Sequence, residues 1–532
     1  MGANPYRHSD SQSPDVQVFL GPPGTGKTTR LMRVLEEELA KGTQPERIGF
    51  HSFTVAAVTE AKDRACRKFG LDPSRFEDGF RTIHSQAFRL MGGGSVLNAK
   101  DMALFCERWG YGLSEQKGDQ GGDDPNEPPR NTDDDDLRAA FDWCRVRRVS
   151  LEEGPRTFEG NVDLLQLQTF VERYVGFKRE MGRIDFTDML EICLSRGLAR
   201  RRDVLIIDEA QDLSPLQIAL VKVWMAKADR VYIAGDDDQA IYGFGGAEPD
   251  WLIALTREHR TEILGQSWRV PQAAHAVAQA IIARNQNRVA KAYAPREEKG
   301  AVSELSRHEA IASIVPGEPT FVLARNIRTL MGVSGDLFRE RVPYRCERKG
   351  ICPLRREALV KAVNAAVAFW KRSSVTWGEF SAVLSMVPAA LLGPRGTLAD
   401  AKRHAKQHPD APMDWLLPNL RRAMEELGGP VGVLMGEAEQ ETRDYLRDLL
   451  GDGDRLPEPH VTVTTIHASK GREADHVILF QDFSANEAGS MERDPEPETR
   501  VAYVAVTRTK NRLTFVRREG RFGFPYPVWA GE

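Results

Sequence analysis

The feature that most constrains this chain is the run Gly21-Pro-Pro-Gly-Thr-Gly-Lys-Thr28, set between an apolar stretch, Val16 to Leu20, and an amphipathic one, Thr29 to Ala40. A strand that breaks into glycines and resumes as a helix closes its backbone N–H groups around phosphate oxygens, with the positive end of the helix dipole behind them. In that setting Lys27 reaches the terminal phosphates and the Thr28 hydroxyl can ligate magnesium. Gly21, Pro22, Pro23, Gly24, Thr25, Gly26, Lys27, Thr28 and Thr29 are therefore expected to hold a nucleoside triphosphate.

Such a loop belongs to a parallel sheet covered by helices, and the rest of the chain follows that pattern. Short Val/Ile/Leu/Phe runs alternate with amphipathic stretches, and four of them matter most: Val16 to Leu20, Val204 to Ile207, Val231 to Ala234 and Val477 to Phe480. Each is followed at once by small, acidic or polar residues, as at the carboxyl ends of parallel strands where ligands bind. With 532 residues and 41% hydrophobic composition, the chain can bury several cores and accommodate about three or four domains.

Lysine plus arginine (73) nearly balance aspartate plus glutamate (77), a formal charge of −4, so any grip on a polyanion must be local. Six cysteines lie far apart, and the nearest pair, Cys346 and Cys352, lacks zinc-knuckle spacing; a reducing cytosol is expected, without disulfide framework, structural zinc or iron–sulfur cluster. The polar stretch Met1 to Asp15 has no apolar signal core, and no apolar run reaches membrane-spanning length, so a soluble cytoplasmic protein is expected.

Two stretches break the strand–helix rhythm. From Gly112 to Asp136 the chain is rich in Gly, Pro, Asp and Glu and ends in four aspartates, which reads as a mobile acidic loop without assigned function. From about Gly350 to Asp454 helical patterns such as Arg355 to Trp370 and Trp415 to Leu427 take over, which reads as an inserted helical subdomain.

The second half of the nucleotide site is Val204-Leu-Ile-Ile-Asp-Glu-Ala-Gln-Asp212, an apolar strand that delivers two adjacent carboxylates at its end. Asp208 is expected to hold magnesium, directly or through water, and Glu209 to orient and deprotonate the attacking water. That glutamate points to hydrolysis of the nucleotide as well as binding.

Asp208-Glu-Ala-Gln-Asp212 with Gln217 resembles motif II of UvrD/Rep-like superfamily 1A DNA helicases, and the other motifs follow in family order. Ile48-Gly-Phe-His-Ser-Phe-Thr54 is similar to motif Ia, Arg81-Thr-Ile-His-Ser85 to motif Ib, and Ile184-Asp-Phe-Thr-Asp188 to the segment preceding motif II. Gly235-Asp-Asp-Asp-Gln-Ala-Ile-Tyr-Gly-Phe-Gly-Gly-Ala247 resembles motif III and Gln266-Ser-Trp-Arg269 motif IV. Val461-Thr-Val-Thr-Thr-Ile-His-Ala-Ser-Lys-Gly-Arg-Glu473 resembles motif V, and Val501-Ala-Tyr-Val-Ala-Val-Thr-Arg508 motif VI.

The resemblance implies an α/β fold of two RecA-like phosphate-loop domains, each a parallel sheet with flanking helices and an inserted, mostly helical subdomain. The expected boundaries are 1–91 with 201–264 for the first motor domain and 92–200 for its insertion. The second motor domain is expected over 265–349 with 455–532, and its reduced insertion over 350–454. It implies ATP and Mg2+ as nucleotide and cofactor, and catalytic roles for Lys27, Glu209, Gln239, Arg269 and Arg508. Gln239 would sense the γ-phosphate, while Arg269 and Arg508, both placed on the second motor domain, would bring positive charge to the transferring phosphoryl group. Trp268 stands where the family usually stacks a tyrosine on adenine, and Glu473 would lie toward the ribose.

For nucleic acid, sequence-neutral binding of a single strand needs aromatic faces and local phosphate donors. Phe53, Tyr242 and Phe244 are the candidate faces, with Thr54, His84, Arg325 and His467 as contacts implied by the resemblance. The implied partners are single-stranded DNA, single-strand/duplex junctions, and single-strand-binding, repair or replication proteins, without a membrane partner; a monomer fits, and the oligomeric state stays open. The implied activity is ATP-driven 3′-to-5′ translocation with unwinding. Beside it stand a translocase that strips bound proteins, and a nucleotide-switched DNA-binding regulator. Departures from the family are the lack of a Gln-containing adenine-reading motif within Met1 to Gln17, and Phe244-Gly245 where Trp-Arg is common.

Overall fold

The computed structural model describes residues 13–52, 55–113, 132–158, 160, 162–346, 352, 354, 357–371, 375–391, 394, 397–412, 417–434 and 440–527. By its internal contacts the chain forms two compact units, Met1–Gly300 with Gly489–Thr507, and Ala301–Ala488 with Arg508–Glu532.

The first unit is built on β1 (Asp15–Leu20), β2 (Ile48–His51), β3 (Arg202–Ile207), β4 (Ala228–Gly235) and β5 (Arg260–Ile263), paired throughout in parallel in the order β2-β3-β4-β1-β5. Val18, Phe19 and Leu20 are all fully buried. Val16, Val18 and Leu20 enter the core on one face of the sheet and Phe19 the core on the other, so both faces are covered. A strand buried on two sides has no solvent face, which is why its sequence runs apolar from Val18 to Leu20 instead of alternating. The register sets Leu20 opposite Gly235 and His51 opposite Ile207, so the loops after β1, β3 and β4 open along one edge.

Helix α1 (Lys27–Ala40) packs Leu31, Met32, Val34 and Leu35 against Phe19, Ile48 and Ile206. The insertion between β2 and β3 is helical and includes α2 (Ile83–Leu90), α3 (Asp133–Arg147), α4 (Leu164–Met181) and α5 (Phe186–Ser195). Phe105, Phe141, Phe170, Tyr174 and Phe177 form its own core. Beside that core the buried Arg145 guanidinium meets Asp185 (2.8 Å), Asp188 (2.5 Å) and Glu191 (2.7 Å), and Lys178 meets Asp185 and Asp188 at 2.6 Å each. Asp185 and Asp188 also cap α5 reciprocally, so these acids before motif II hold the insertion together.

The expected acidic loop 112–136 needs correcting at its end. Residues 114–131 lie outside the described residues, but Asp133, Asp134, Asp135 and Asp136 are the first turn of α3, capped by the Thr132 hydroxyl. Four carboxylates at a helix N-terminus are stabilised by the dipole and by free N–H groups, which turns a run that reads as disordered into a helix start. Asp135 is fully buried and paired with Arg138.

Residues 265–300, expected with the second motor domain, make their contacts within the first unit. The reason is local: the extended segment after β5 hydrogen-bonds the phosphate loop, and α6 (Gln272–Ile282) follows it.

The second unit is built on β6 (Ala301–Leu305), β7 (Thr320–Ala324), β8 (Tyr344–Cys346), β9 (Val461–Thr465), β10 (Ala474–Phe480) and β12 (Thr509–Val516), again parallel throughout, in the order β6-β12-β10-β7-β9-β8. A two-stranded antiparallel ribbon, β11 (Asp482–Phe483) with β13 (Phe522–Gly523), adjoins the chain there. The region expected as a helical insertion holds α7 (Glu357–Trp370), α8 (Trp377–Met386), α9 (Thr397–Gln407), α10 (Leu417–Glu426) and α11 (Gln440–Leu450). Its Phe369, Trp377, Phe380 and Tyr445 share one continuous core with Val322, Val461 and Val463 of the sheet. Helix α12 (Pro495–Val506) belongs by its contacts to the first unit. Two parallel sheets flanked by helices, each interrupted by a helical insertion, are the architecture of paired RecA-like domains. Among the described residues no helix is long and apolar enough to cross a membrane.

Candidate nucleotide and nucleic-acid site

The loop between β1 and α1 is folded on itself. Thr25 Oγ1 donates to Pro22 O (2.8 Å), the Gly21 amide donates to Gly235 O (3.0 Å), and Lys27 Nζ lies over the loop, donating to Gly21 O (3.0 Å). Gly24 is required twice over: its φ is +72°, and a Cβ there would sit 2.4 Å from Arg269 Cβ and 2.8 Å from Ser267 Oγ. Pro22, Pro23, Gly26 and Thr29 complete the loop and first turn, and Gly26 is also left-handed.

At the end of β3, Asp208 is 2% exposed and accepts the Glu209 amide (2.9 Å) as well as a hydrogen bond from the Thr28 side chain. Burial, and then the neighbouring Glu209 charge, push the Asp208 carboxyl up to about 7, against the opposing pull of Lys27 and Thr28. A hydroxyl and a buried carboxylate short of positive charge are hard oxygen donors suited to Mg2+, so the residues present fit that ion. Glu209 has φ 53° and ψ 44°, a left-handed conformation uncommon outside glycine and kept where surroundings over-determine it. Gln211 does so here: its Nε2 donates to Glu209 Oε2 (2.6 Å), and its Oε1 accepts the Asp236 amide (2.9 Å). Gln217 of the same motif closes a reciprocal cap with Ser214, a structural task.

Gln239 follows β4 in a buried turn, its Nε2 donating to Asp236 Oδ2 (2.6 Å). Asp236, Asp237 and Asp238 are all buried. Lys291 Nζ answers them, at 3.1 Å from Asp236, 3.0 Å from Asp238 and in contact with Asp237, while Arg288 forks onto Asp238 at 2.8 and 2.6 Å. Burial works against the lysine charge, but three carboxylates outweigh it and hold the ammonium well above its usual range.

The segment carrying Arg269 lies on the phosphate loop. Ser267 Oγ donates to Pro23 O (2.7 Å) and the Trp268 amide to Gly24 O (2.9 Å). On its other side the Ser267 amide donates to Ala294 O and the Arg296 amide to Val270 O. Arg269 is thus fixed beside Gly24, and the Trp268 indole, 75% exposed, stands next to the loop.

In the second unit the remaining nucleotide candidates gather at neighbouring strand starts. Arg508 is 1% exposed, its Nη1 donates to Arg472 O (3.3 Å), and its carbonyl accepts the Ala474 amide; Glu473 pairs with Lys510 at 2.9 Å. Arg325 and His467 follow β7 and β9, whose ends are in register at Ala324 and Thr465, and Arg325 faces Glu487 at 4.0 Å. The two units thus hold separate groups of candidates: Lys27, Thr28, Asp208, Glu209, Gln239, Trp268 and Arg269 in the first, Arg325, His467, Glu473 and Arg508 in the second.

Of the nucleic-acid candidates in the first unit, Phe53 and Thr54 lie outside the described residues. Tyr242 and Phe244 are half-buried and meet edge to face, ring centroids 5.9 Å apart. His84, half-buried, meets the 63%-exposed Phe186 edge to face at 6.4 Å, and burial holds its imidazole down at about 4, so it is neutral at physiological pH. Ser267, Gln211, Arg288, Lys291 and Arg500 were not singled out from the sequence. Ser267 and Gln211 sit inside quoted motifs, and three consecutive aspartates after a buried strand were the only signal that cations had to be found elsewhere in the chain.

The UvrD/REP helicase N-terminal domain family matches residues 11–260, and the UvrD-like helicase C-terminal domain family matches residues 460–516. The chain is 24% identical over 436 residues to the ATP-dependent DNA helicase UvrD2 of Mycobacterium tuberculosis (strain ATCC 25618 / H37Rv), covering 72% of this chain and 59% of the relative. It is 27% identical over 311 residues to the ATP-dependent DNA helicase PcrA of Leuconostoc citreum, covering 53% and 40%. With the ATP-dependent DNA helicase Rep of Escherichia coli (strain K12) it shares 25% identity over 399 residues, covering 58% and 59%. The chain thus spans less than two thirds of the length of these relatives. Matched at both its amino-terminal and carboxy-terminal motor segments, this chain belongs to the UvrD/Rep-like superfamily 1 helicase family.

Proposed function

We propose that the chain is an ATP-hydrolysing DNA helicase that moves 3′-to-5′ along a single strand and couples turnover to duplex opening. The observation that carries this reading is the convergence of Lys27, Thr28, Asp208, Glu209, Gln239 and Arg269 on one edge of a parallel sheet, with the Arg269 segment hydrogen-bonded to the phosphate loop itself.

In this mechanism the loop amides and Lys27 bind and orient the triphosphate, with Trp268 beside its base. Thr28 and Asp208 would hold Mg2+, which would supply charge neutralisation to the phosphates. Glu209, positioned by Gln211, takes the proton of the attacking water. Arg269 adds positive charge where negative charge develops, and the same charge-supplying role is assigned to Arg508. Gln239 loses its contact when the γ-phosphate leaves. Tyr242, Phe244 and His84, with Phe53 and Thr54, are the strand contacts assigned to the first unit, and Arg325 and His467 those assigned to the second. Single-stranded DNA and its junctions with duplex are the substrates, in the cytoplasm.

The Gly245 that replaces the family's usual arginine beside Phe244 favours a second reading, a translocase that strips bound proteins and opens duplex poorly. Strand displacement on substrates with 3′ or 5′ tails, run beside DNA-stimulated ATP hydrolysis, decides between them. Displacement from 3′-tailed substrates supports the helicase; hydrolysis without displacement supports the translocase. ATP binding without turnover leaves only a nucleotide-switched DNA-binding regulator.

A further inference from the structure

The buried charges behind Gln239 do more than the proposed chemistry uses. Asp236 accepts from Gln239 and is paired with Lys291, which also contacts Asp237 and Asp238. Arg288 clamps Asp238, and the Val289 amide donates to Asp237 Oδ2 (2.7 Å). The turn that bears Gln239 is therefore locked, through charge, onto the segment 285–293.

Helix α12 grips both partners of that lock. Arg500 Nε donates to the Asp237 carbonyl (3.2 Å) and its Nη2 to the Asn287 carbonyl (2.6 Å). Glu496 accepts the Gln286 and Asn287 amides at 2.6 and 3.0 Å, and Asn285 Nδ2 donates to the Glu496 carbonyl (3.1 Å). One turn beyond Arg500, the Tyr503 hydroxyl meets that of Tyr293 (3.3 Å). Arg500 is 4% exposed and Tyr503 1%, so these are core contacts. In sequence, α12 ends at Val506 and Arg508 follows two residues later.

We propose that Lys291 and Arg500 are positioning residues that carry the state of the Gln239 turn into helix α12, the helix that leads to Arg508. This rests on the nucleotide reading above and deepens it by assigning the link between sensor and arginine. Cohesion alone does not call for three buried aspartates against a lysine, since apolar residues of that volume hold a core at least as well. A charge cluster adds directionality: Asp236 is shared between Gln239 and Lys291, so a change at the sensor alters the partners left for the ammonium. Arg500 then senses the displacement because its two donors span the turn and the segment opposite.

The test is hydrogen–deuterium exchange of the full chain with and without Mg2+ and a non-hydrolysable ATP analogue, in the wild type and in Arg500→Ala. In the wild type, the analogue is expected to slow exchange at 21–28, 236–239 and 495–506 together. In Arg500→Ala the effect at 21–28 and 236–239 stays and that at 495–506 disappears. In parallel, the KM for ATP and basal turnover stay within about twofold, while turnover stimulated by oligodeoxythymidylate falls about tenfold. If Arg500→Ala fails to fold, Arg500→Lys, which keeps the charge but lacks the two-pronged donor, is read by the same criteria. A helix response that persists in the variant overturns the proposal, as does a wild type that responds at 236–239 but not at 495–506. An analogue that changes nothing at 21–28 overturns the nucleotide reading itself, and this proposal with it.

Discussion

Ser267 donates its hydroxyl hydrogen to the Pro23 carbonyl over 2.7 Å, in a fully buried contact between positions 244 residues apart in sequence. The same oxygen accepts from the amides of Arg269 (3.4 Å) and Val270 (3.1 Å), so one hydroxyl ties the phosphate loop to the extended segment after β5 that carries Arg269. The conformation of the loop and the placement of Arg269 are thereby made interdependent.

Replacing this hydroxyl tests the link. Ser267→Ala leaves the Pro23 carbonyl and two amides without their shared partner, a loss of about 1–3 kcal/mol for a buried polar group. The KM for ATP is expected to rise about tenfold with the fold retained. Steady-state ATP hydrolysis beside thermal unfolding checks this, and an unchanged KM would remove Ser267 from the site.

The two groups with the most direct proposed roles separate by kinetics. Lys27→Ala is expected to lose both triphosphate affinity and turnover. Glu209→Gln, which keeps the side-chain shape and the capacity to meet Gln211, is expected to bind ATP normally and turn it over at least about a hundredfold more slowly. Binding of a fluorescent ATP analogue together with single-turnover hydrolysis distinguishes them; near-normal turnover in Glu209→Gln rules it out as the base.

Phe244 is half-buried against Tyr242, an arrangement compatible with packing or with a face for a base. If the ring stacks on DNA, Phe244→Ala forfeits about 1–3 kcal/mol of strand affinity and lowers DNA-stimulated turnover while basal turnover is spared. Titration with oligodeoxythymidylate gives both numbers, and equal losses make Phe244 a packing residue.

Part of the acid sensitivity should trace to His476 in the second unit, whose imidazole pKa is lowered by burial as those of His51 and His84 are in the first. Its Nε2 is paired with Thr514 Oγ1 (2.9 Å), and its Nδ1 faces an Arg512 guanidinium nitrogen at 3.1 Å, so Nδ1 accepts. Burial, and then the Arg512 charge, lower its pKa from 6.5 to about 4 against a weaker opposing pull from Glu318. Between those values the unfolded chain binds a proton that the folded chain refuses. The stabilisation is therefore complete above about 6.5 and declines as pH falls toward 4, by up to about 3 kcal/mol. Urea midpoints measured across this range should drop in the wild type and drop less in His476→Gln. Parallel pH profiles for the two proteins would assign the effect elsewhere.

What the sequence by itself determined is the chemistry that is local along the chain. The phosphate loop needs glycines, a lysine and a hydroxyl within a few residues, and the acid pair needs only a buried strand before it, so Lys27, Thr28, Asp208 and Glu209 were legible without coordinates. Continuous apolar runs likewise revealed strands covered on both faces. Asp133 to Asp136 were misread because composition describes solvation, whereas a helix N-terminus supplies N–H groups and a dipole that make four carboxylates welcome.

Tertiary structure alone decided which distant residues complete the site. Nothing near Asp236, Asp237 and Asp238 announces Lys291, Arg288 or Arg500, because a buried carboxylate needs a cation at about 3 Å in space and is indifferent to its distance along the chain. The same holds for Ser267 on Pro23, and for 265–300 joining the first unit. Hydrogen-bond valence must be satisfied wherever folding excludes water, and the partner is chosen by the packing of sheets and helices, which a linear pattern of residues does not record.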